Sequence, residues 1–500
     1  MTLSAEKRKQ LAAWQLDMKK GFYITTTLPY VNAEPHIGFA MEITRADTIA
    51  RYHRIMGDEV FFNTGTDEHG AKLWNDAIEA GKDIKDYVDM YAEKFRELSP
   101  LLNLSVDNFI RTTDPHHIIA AQEFWRRCQK NGFIYKKNYE GKYCVGCELE
   151  KTNSELENGR CPIHPNKEIE IISEENYFFK FSALESQLTE LYEKNPKLVI
   201  PDFRFNEMRT FVKRGLNDFS ISRLKSKMPW GVPAPDDDEH VMYVWFDALV
   251  SYISAIGWPD NETQFKKWWP VVQFAGKDQV RQQAAMWQAM LLSIGIEPSK
   301  NIIINGFINS GGQKMSKSLG NVISPFDVVD FFRNVTDFPE DVLRFVVLHD
   351  ISSFEDGDIT MDSIKESYKV NLQDGLGNLV SRVMKLAETY LSEPIEKPNI
   401  EGTLPFEHSQ YLDRFEFNQY MRYVWEYIHL LDKRINETEP FKVVKTNLEE
   451  GRSIIKVLLQ ELYVIANSLS PVLPKTSEKI KKCIEENKMP EKPLFPRIEK

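Results

Sequence analysis

The segment that most constrains this chain lies near its start. Phe22-Tyr-Ile-Thr-Thr-Thr27 alternates and β-branches as a strand does. Leu28-Pro-Tyr-Val-Asn-Ala-Glu-Pro35-His36-Ile-Gly38-Phe39 follows as a loop, residues 41–55 carry a helical pattern with Gly57 as a stop, and Val60-Phe-Phe-Asn63 reads as the next strand. Strand, loop, helix, strand is the repeating unit of a parallel α/β sheet. Pro35 suits a first helical turn, where its missing N–H has no partner to lose. That puts His36 and Gly38 at a helix N-terminus, a place that attracts phosphate and where Gly lets a nucleotide approach the backbone. A His there also reads as a cap or as a packed surface residue.

A second segment belongs with the first. The apolar run Ile302-Ile-Ile304 reads as a buried strand, and Asn309-Ser-Gly-Gly-Gln-Lys314-Met-Ser316-Lys317-Ser318-Leu-Gly-Asn321 follows it. A Gly-rich loop with paired lysines and hydroxyls can fold over a polyphosphate, neutralising it and donating hydrogen bonds. A basic surface loop with no ligand is the other reading of these residues.

Five hundred residues exceed one simple core, so roughly two to four domains are expected. No apolar run approaches the about 18 residues that a membrane span needs. The net charge of -11 disfavours a broadly basic nucleic-acid binder, although a local basic face on an acidic protein can still bind RNA. Residues 1–20 lack the apolar centre of a signal peptide and read as a short helical extension. Five cysteines in such a length are no disulfide framework, which points to a reducing cytoplasm.

Cysteine spacing adds a metal site. Cys144-Val-Gly-Cys147 and Cys161-Pro-Ile-His164 offer three thiolates and an imidazole from two turns, the donor set of one tetrahedral, structural Zn²⁺. Two unrelated surface turns are the alternative, and a redox Cys-x-x-Cys leaves the second turn without a role.

The expected fold class is α/β: a Rossmann-like open parallel sheet split by a zinc-knuckle insertion and followed by a C-terminal α-helical bundle. The expected divisions are a helical extension over 1–20, a first α/β half over 21–115 and a connective insertion with the knuckle over 116–240. A second α/β half over 241–306 and a loop-motif region over 307–366 come next, then a helical bundle over 367–490 and a tail over 491–500 that docks on the surface.

The two motifs, in this order, resemble the His-Ile-Gly-His and Lys-Met-Ser-Lys-Ser pair of class I aminoacyl-tRNA synthetases. Gly65-Thr-Asp-Glu-His-Gly70, Val244-Trp-Phe-Asp-Ala-Leu249 and Gly276-Lys-Asp278 narrow the resemblance to the methionyl-tRNA synthetase family, over about residues 21–500, and Cys144 to His164 is similar to its single-knuckle subtype. The resemblance implies a ligase that joins methionine to ATP as an adenylate, releases pyrophosphate and transfers methionine to the 3′ end of tRNA(Met), initiator included. It implies that 21–115 and 241–306 are the halves of a catalytic domain, that 307–366 contacts the tRNA stem, that 367–490 is an anticodon-binding domain, and that His36, Lys314 and Lys317 are catalytic. ATP is then held by His36, Gly38, Gly276, Asp278, Lys314, Ser316 and Lys317, with Mg²⁺ entering with the nucleotide. Leu28, Tyr30, Asp67, Trp245, Ala248, Tyr252, Gln283 and Trp287 hold methionine, and Asn378, Arg382 and Phe441 read the anticodon. Asn378 and Arg382, four apart, share a helix face, which fits a solvated surface as well as an RNA reader. Trp245 and Tyr252, seven apart, fit ordinary aromatic core as well as a pocket wall. A cytoplasmic monomer is expected, since no C-terminal dimerisation domain is visible, and no membrane partner.

Three departures from the family pattern bear on the site. Phe39 stands where a second histidine is usual, Gln279, Gln282 and Gln283 stand where an apolar residue and Phe-His are usual, and Phe441 replaces a tryptophan. They leave two alternatives open: a non-catalytic tRNA-binding paralogue, or a class I synthetase of altered amino-acid specificity.

Overall fold

The computed structural model describes residues 21–498 apart from 147, 148, 152, 316–319, 397, 399–403 and 405. The expected extension over 1–20, and Cys147, Ser316 and Lys317 among the expected site residues, lie outside the described residues. The chain forms two compact units: residues 1–34, 61–96 and 107–304, and residues 35–60, 97–106 and 305–500.

The first unit is built on a six-stranded sheet in the order Asn108–Arg111, Val60–Thr66, Phe22–Thr25, Val271–Gly276, Asn301–Asn305, Val199–Ile200. Phe22–Thr25 pairs in parallel with Val271–Gly276, with Tyr23 opposite Val271. The β-branched and aromatic runs seen in the sequence are buried on both faces, as strands of a parallel sheet must be. Between the sheet's halves in the sequence lies an antiparallel sheet of Leu149–Lys151, Ile134–Cys144, Glu170–Phe179 and Phe219–Ser220. Its long hairpin runs in register from Ile134 opposite Phe179 to Tyr143 opposite Glu170. The core of this unit is aromatic: Phe124 meets Phe246, Trp258 and Trp287 at ring distances of 5.8–5.9 Å.

The second unit is mostly helical. Asn378–Tyr390, Phe417–Thr438, Leu448–Leu469 and Pro474–Glu486 each bury one stripe, such as Leu379, Val380, Val383, Met384 and Ala387. Leu494 and Phe495 of the C-terminal segment are buried in this unit, and Thr336 Oγ1 donates to the Leu494 carbonyl at 2.7 Å. Among the described residues no helix is long and apolar enough to cross a membrane.

Two expected helices contain π turns. Residues 279–294 and 364–391 read as continuous helix, yet Gln282–Met286 and Tyr368–Gly377 are π-helical. Such a turn inserts a residue without breaking the run of helix formers, so periodicity hides it. The start of the His36 helix also differs from the sequence reading. The helix is Ile37–Ile55, with His36 as its N-cap and Pro35 outside it.

Asp341, on Pro339–His349, is fully buried. It accepts from Thr476 N at 2.7 Å, and its Oδ1 has no hydrogen-bond partner among the described residues. Burial pushes its carboxyl up to about 6 despite nearby Arg344. The folded state therefore holds a proton that the unfolded chain has released above about pH 4. This contribution is present at pH 4 and is lost as pH rises through 6. Asp341→Asn should gain stability relative to wild type by on the order of 2–3 kcal/mol between pH 4 and pH 8. Denaturant melts at both pH values check it, and a pH-independent difference would refute the assignment.

Candidate active site

In the first unit the expected methionine residues collect at the carboxyl ends of strands. Leu28 and Tyr30 follow Phe22–Thr25, and Asp67 follows Val60–Thr66. The two chain segments are zipped together: Asp67 N donates to Pro29 O at 3.0 Å and Val31 N to Asp67 O at 3.2 Å. Asp67 is only 5 % exposed, and Leu28 is buried. Asp278, exposed, lies in the turn Lys277–Gln279 directly after Gly276, which ends Val271–Gly276. Phe22–Thr25 and Val271–Gly276 are where the strand order reverses, the crevice in which open α/β sheets bind ligands.

The residues expected to wall the thioether lie on the helix Val244–Ser254, with Trp287 beside them. Tyr252 and Trp287 are buried with rings 6.0 Å apart, Ala248 is buried, and Trp245 is half-buried. The Nε1 atoms of Trp245 and Trp287 are buried with no hydrogen-bond partner among the described residues, which ordinary core packing avoids.

The glutamines that depart from the family pattern divide into two kinds. Gln279 is half-buried in the turn after the strand, and Gln282 is buried. Gln283 belongs to a buried chain whose direction is set at one end. Ser299 N, which can only donate, donates to Gln288 Oε1 at 2.9 Å, so Gln288 Nε2 donates to Ser299 Oγ at 3.1 Å. Ser299 Oγ then donates to Gln273 Oε1, Gln273 Nε2 to Gln283 Oε1 at 3.0 Å, and Gln283 Nε2 to the Tyr252 hydroxyl at 2.8 Å. Every amide is satisfied and its orientation fixed, so Gln283 supports Tyr252 with a group that does not titrate.

Sequence reasoning named the segment Gly65 to Gly70 and missed how it is held. Glu68 is buried and accepts from Arg111 at 2.6 and 2.8 Å, from Thr66 and from Thr113. His69 Nδ1 lies 3.0 Å from Asp247 Oδ2, and His117 Nε2 lies 3.5 Å from Asp247 Oδ1. Burial pushes the Asp247 carboxyl up, but His69 and then His117 pull it further down, so it stays below the usual carboxylate range. Asp247 thus ties the Asp67 segment to the helix of Trp245, Ala248 and Tyr252. Only its place inside Val-Trp-Phe-Asp-Ala-Leu could have signalled it.

The second unit carries the His36 side. His36 has an extended backbone, and its Nδ1 accepts from Gly38 N at 3.0 Å. An imidazole that accepts at Nδ1 carries its proton on Nε2, the tautomer that donates to an anion. A Cβ at position 38 would sit 2.8 Å from His36 Cε1, so Gly38 lets the cap close. Phe39 is buried, as expected of an apolar ring at this place. Lys314 ends the hairpin of Ile308–Ser310 and Gln313–Lys314, whose first strand pairs in parallel with Gly357–Asp358. In the helical region Asn378 is exposed, and Arg382 pairs with Asp432 and with Asn436 Oδ1. Phe441, 40 % exposed, is on Pro440–Thr446, which packs against Asn378–Tyr390.

Three of the four expected metal ligands come together. Ligand atoms of Cys144, Cys161 and His164 lie within 4.8 Å of one another, with Cys144 Sγ 3.8 Å from His164 Nδ1. Zn–S and Zn–N bonds of about 2.3 and 2.0 Å place such donors at nearly this separation. A Cβ on Gly146 would lie 2.5 Å from the His164 ring, so the turn is shaped to receive the imidazole. These residues fit a metal ion.

This sheet order and paired His36 and loop segments define a class I aminoacyl-tRNA synthetase. The chain matches the sequence profile described as tRNA synthetases class I (M) over residues 22–167 and 146–384. It is 38% identical over 488 residues to the methionine–tRNA ligase of Thermotoga maritima, covering 94% of this chain and 76% of that one. It is 37% identical over 481 residues to that of Nostoc sp., covering 92% and 89%. The structure of Mycobacterium tuberculosis methionyl-tRNA synthetase in complex with methionyl-adenylate is similar with a TM-score of 0.87 and 30% identity, covering 96% and 100%. The chain belongs to the methionyl-tRNA synthetase family.

Proposed function

We propose that this protein is a methionine–tRNA ligase that forms methionyl-adenylate from methionine and ATP and then methionylates tRNA(Met), initiator included. The observation that carries the residue assignments is the buried Asp67 carboxylate, locked by its backbone beside Tyr30 at the switch point of the sheet. Asp67 pairs with the methionine ammonium. Leu28, Tyr30, Trp245, Ala248, Tyr252 and Trp287 enclose the thioether, a polarizable group suited to aromatic walls, and Gln283 orients Tyr252. Asp278 and Gly276 hold the ribose. His36 donates through Nε2 to the phosphates, Gly38 admits the nucleotide, and Lys314, Ser316 and Lys317 stabilise the charge that develops as pyrophosphate leaves. Mg²⁺ enters with ATP. Five cysteines in 500 residues are too few for a disulfide framework, which suits a reducing cytoplasm.

Methionine-dependent ATP–pyrophosphate exchange, followed by charging of a CAU-anticodon tRNA, tests the reading. Exchange that prefers another amino acid would establish altered specificity. No exchange, with tRNA still bound, would establish a non-catalytic paralogue.

Two further expectations arise here. Cys144, Cys147, Cys161 and His164 would hold one Zn²⁺, which keeps the knuckle folded and leaves no open position for chemistry. Metal analysis of protein purified without added zinc should give close to one equivalent, and His164→Ala well under half. Finding none in a folded wild-type protein would remove the metal assignment. Asn378, Arg382 and Phe441 read the anticodon, by hydrogen bonds and stacking. Arg382→Ala should lower kcat/KM for tRNA charging about tenfold or more, roughly 1.4 kcal/mol, and leave pyrophosphate exchange within twofold. Equal losses in both assays would contradict it.

A further inference from the structure

Arg45 and Arg344, among the described residues of the second unit, are entirely buried, and they are held differently. Arg344 pairs with the Asp47 carboxylate at 2.7 Å and also donates to the Val472, Pro471 and Leu102 carbonyls. It is a structural ion pair. The hydrogen bonds of Arg45 go to neutral acceptors. Nη1 donates to Asn305 Oδ1 and Ser353 O, both at 2.9 Å, and Nη2 to Ser352 O at 2.8 Å, with Val347 O and Ile351 O at 3.4 Å. The guanidinium lies 5.6 Å from the Phe417 ring. Burial pushes it down to about 9, with Glu42, one turn away, opposing. A buried charge held by neutral groups is a costly way to stabilise a fold, which raises the question of what it connects.

Its partners answer that. Asn305 lies three residues before Ile308, where the hairpin leading into the loop motif begins. Ser352 and Ser353 lie just before Gly357–Asp358, the strand that pairs with Ile308–Ser310. One planar fork therefore holds both roots of the small sheet that ends at Lys314. Arg45 itself is on Ile37–Ile55, about 13 Å along the helix axis from His36, too far to touch a reactant there. The exit of the loop motif is referred to the same helix: Ile37 N donates to Ile323 O at 3.0 Å.

We propose that Arg45 is a positioning residue for adenylate formation, fixing the hairpin that carries Lys314 on the helix that carries His36. This rests on reading His36 and the loop lysines as the phosphate-side residues. Misplacing such groups by an ångström slows the chemical step without changing the binding of a substrate held elsewhere.

The test uses the full chain with Arg45→Met, Arg45→Lys, Asn305→Ala and the double variant Arg45→Lys/Asn305→Ala, with His36→Ala alongside. Readouts are kcat for pyrophosphate exchange, normalised to active sites by adenylate burst, and the methionine Kd by calorimetry without ATP. Arg45→Met should lose thirtyfold or more in kcat with methionine Kd within twofold. A single ammonium cannot serve both roots at once, so Arg45→Lys should resemble Asn305→Ala, each down about tenfold, and the double variant should lose little more. A purely structural role would reduce methionine binding and rate together, and the two tenfold losses would multiply. Either result, or kcat within threefold of wild type for Asn305→Ala, would overturn the proposal; should Arg45→Met not fold, Asn305→Ala and Arg45→Lys decide it. Wild-type exchange by His36→Ala would instead overturn the phosphate-side reading of His36, while the Arg45 and Asn305 rates still judge the positioning role.

Discussion

Asp67→Ala is expected to lower kcat/KM for methionine at least a hundredfold, about 3 kcal/mol. The carboxylate is buried, and on the proposed reading the methionine ammonium that it pairs with leaves water on binding. Removing the carboxylate leaves that cation in a dry site with no counter-charge, and truncating one partner of a buried pair costs about 3–5 kcal/mol. Most of the loss should fall on methionine KM, because the ammonium is bound equally in ground and transition states. Pyrophosphate exchange at varied methionine, with ATP KM as the control, checks this hypothesis. A drop in kcat alone, with methionine KM unchanged, would place Asp67 in the chemical step and refute the ammonium role.

His36→Ala is expected to slow single-turnover adenylate formation by a hundredfold to a thousandfold, about 3–4 kcal/mol, with methionine Kd unchanged. The sign follows from the tautomer, since the Nδ1 atom that caps the helix leaves the proton on Nε2. The substitution also removes an N-cap, about 1 kcal/mol of stability. His36→Asn separates the two effects: it can cap, so it should melt close to wild type and still be slow. Phe39 is buried, so Phe39→His should not supply the donor, and a tenfold gain would mean that the site lacks one. Wild-type rates in His36→Ala would refute the assignment.

Much of this was legible in the chain before its structure. His36 and Gly38 could be placed at a helix start because strand and helix periods are local and Gly57 ends the helix. Cys144, Cys161 and His164 could be grouped because metal ligands in turns keep short, fixed spacings. Local patterns also led to errors of detail. Pro35 was read into the first helical turn because proline suits that turn, although a cap was one reading of His36 and the helix in fact starts after it, and the π turn at Gln282–Met286 was invisible because its residues are ordinary helix formers.

The sequence by itself determined the architecture of strand, helix and bundle, the grouping of Cys144, Cys161 and His164, and the two motif segments, since each follows from neighbours along the chain. Tertiary structure alone decided what holds the motifs. His69 meets Asp247 across 178 positions, and Arg45 meets Asn305 across 260. The direction of the chain from Ser299 to Tyr252 depends on one backbone N–H meeting Gln288 Oε1. These are partnerships of buried polar groups, and a buried polar group takes whichever partner the packing of sheet and helices brings within about 3 Å. The residues themselves carry the need for a partner, and only the fold decides which one meets it.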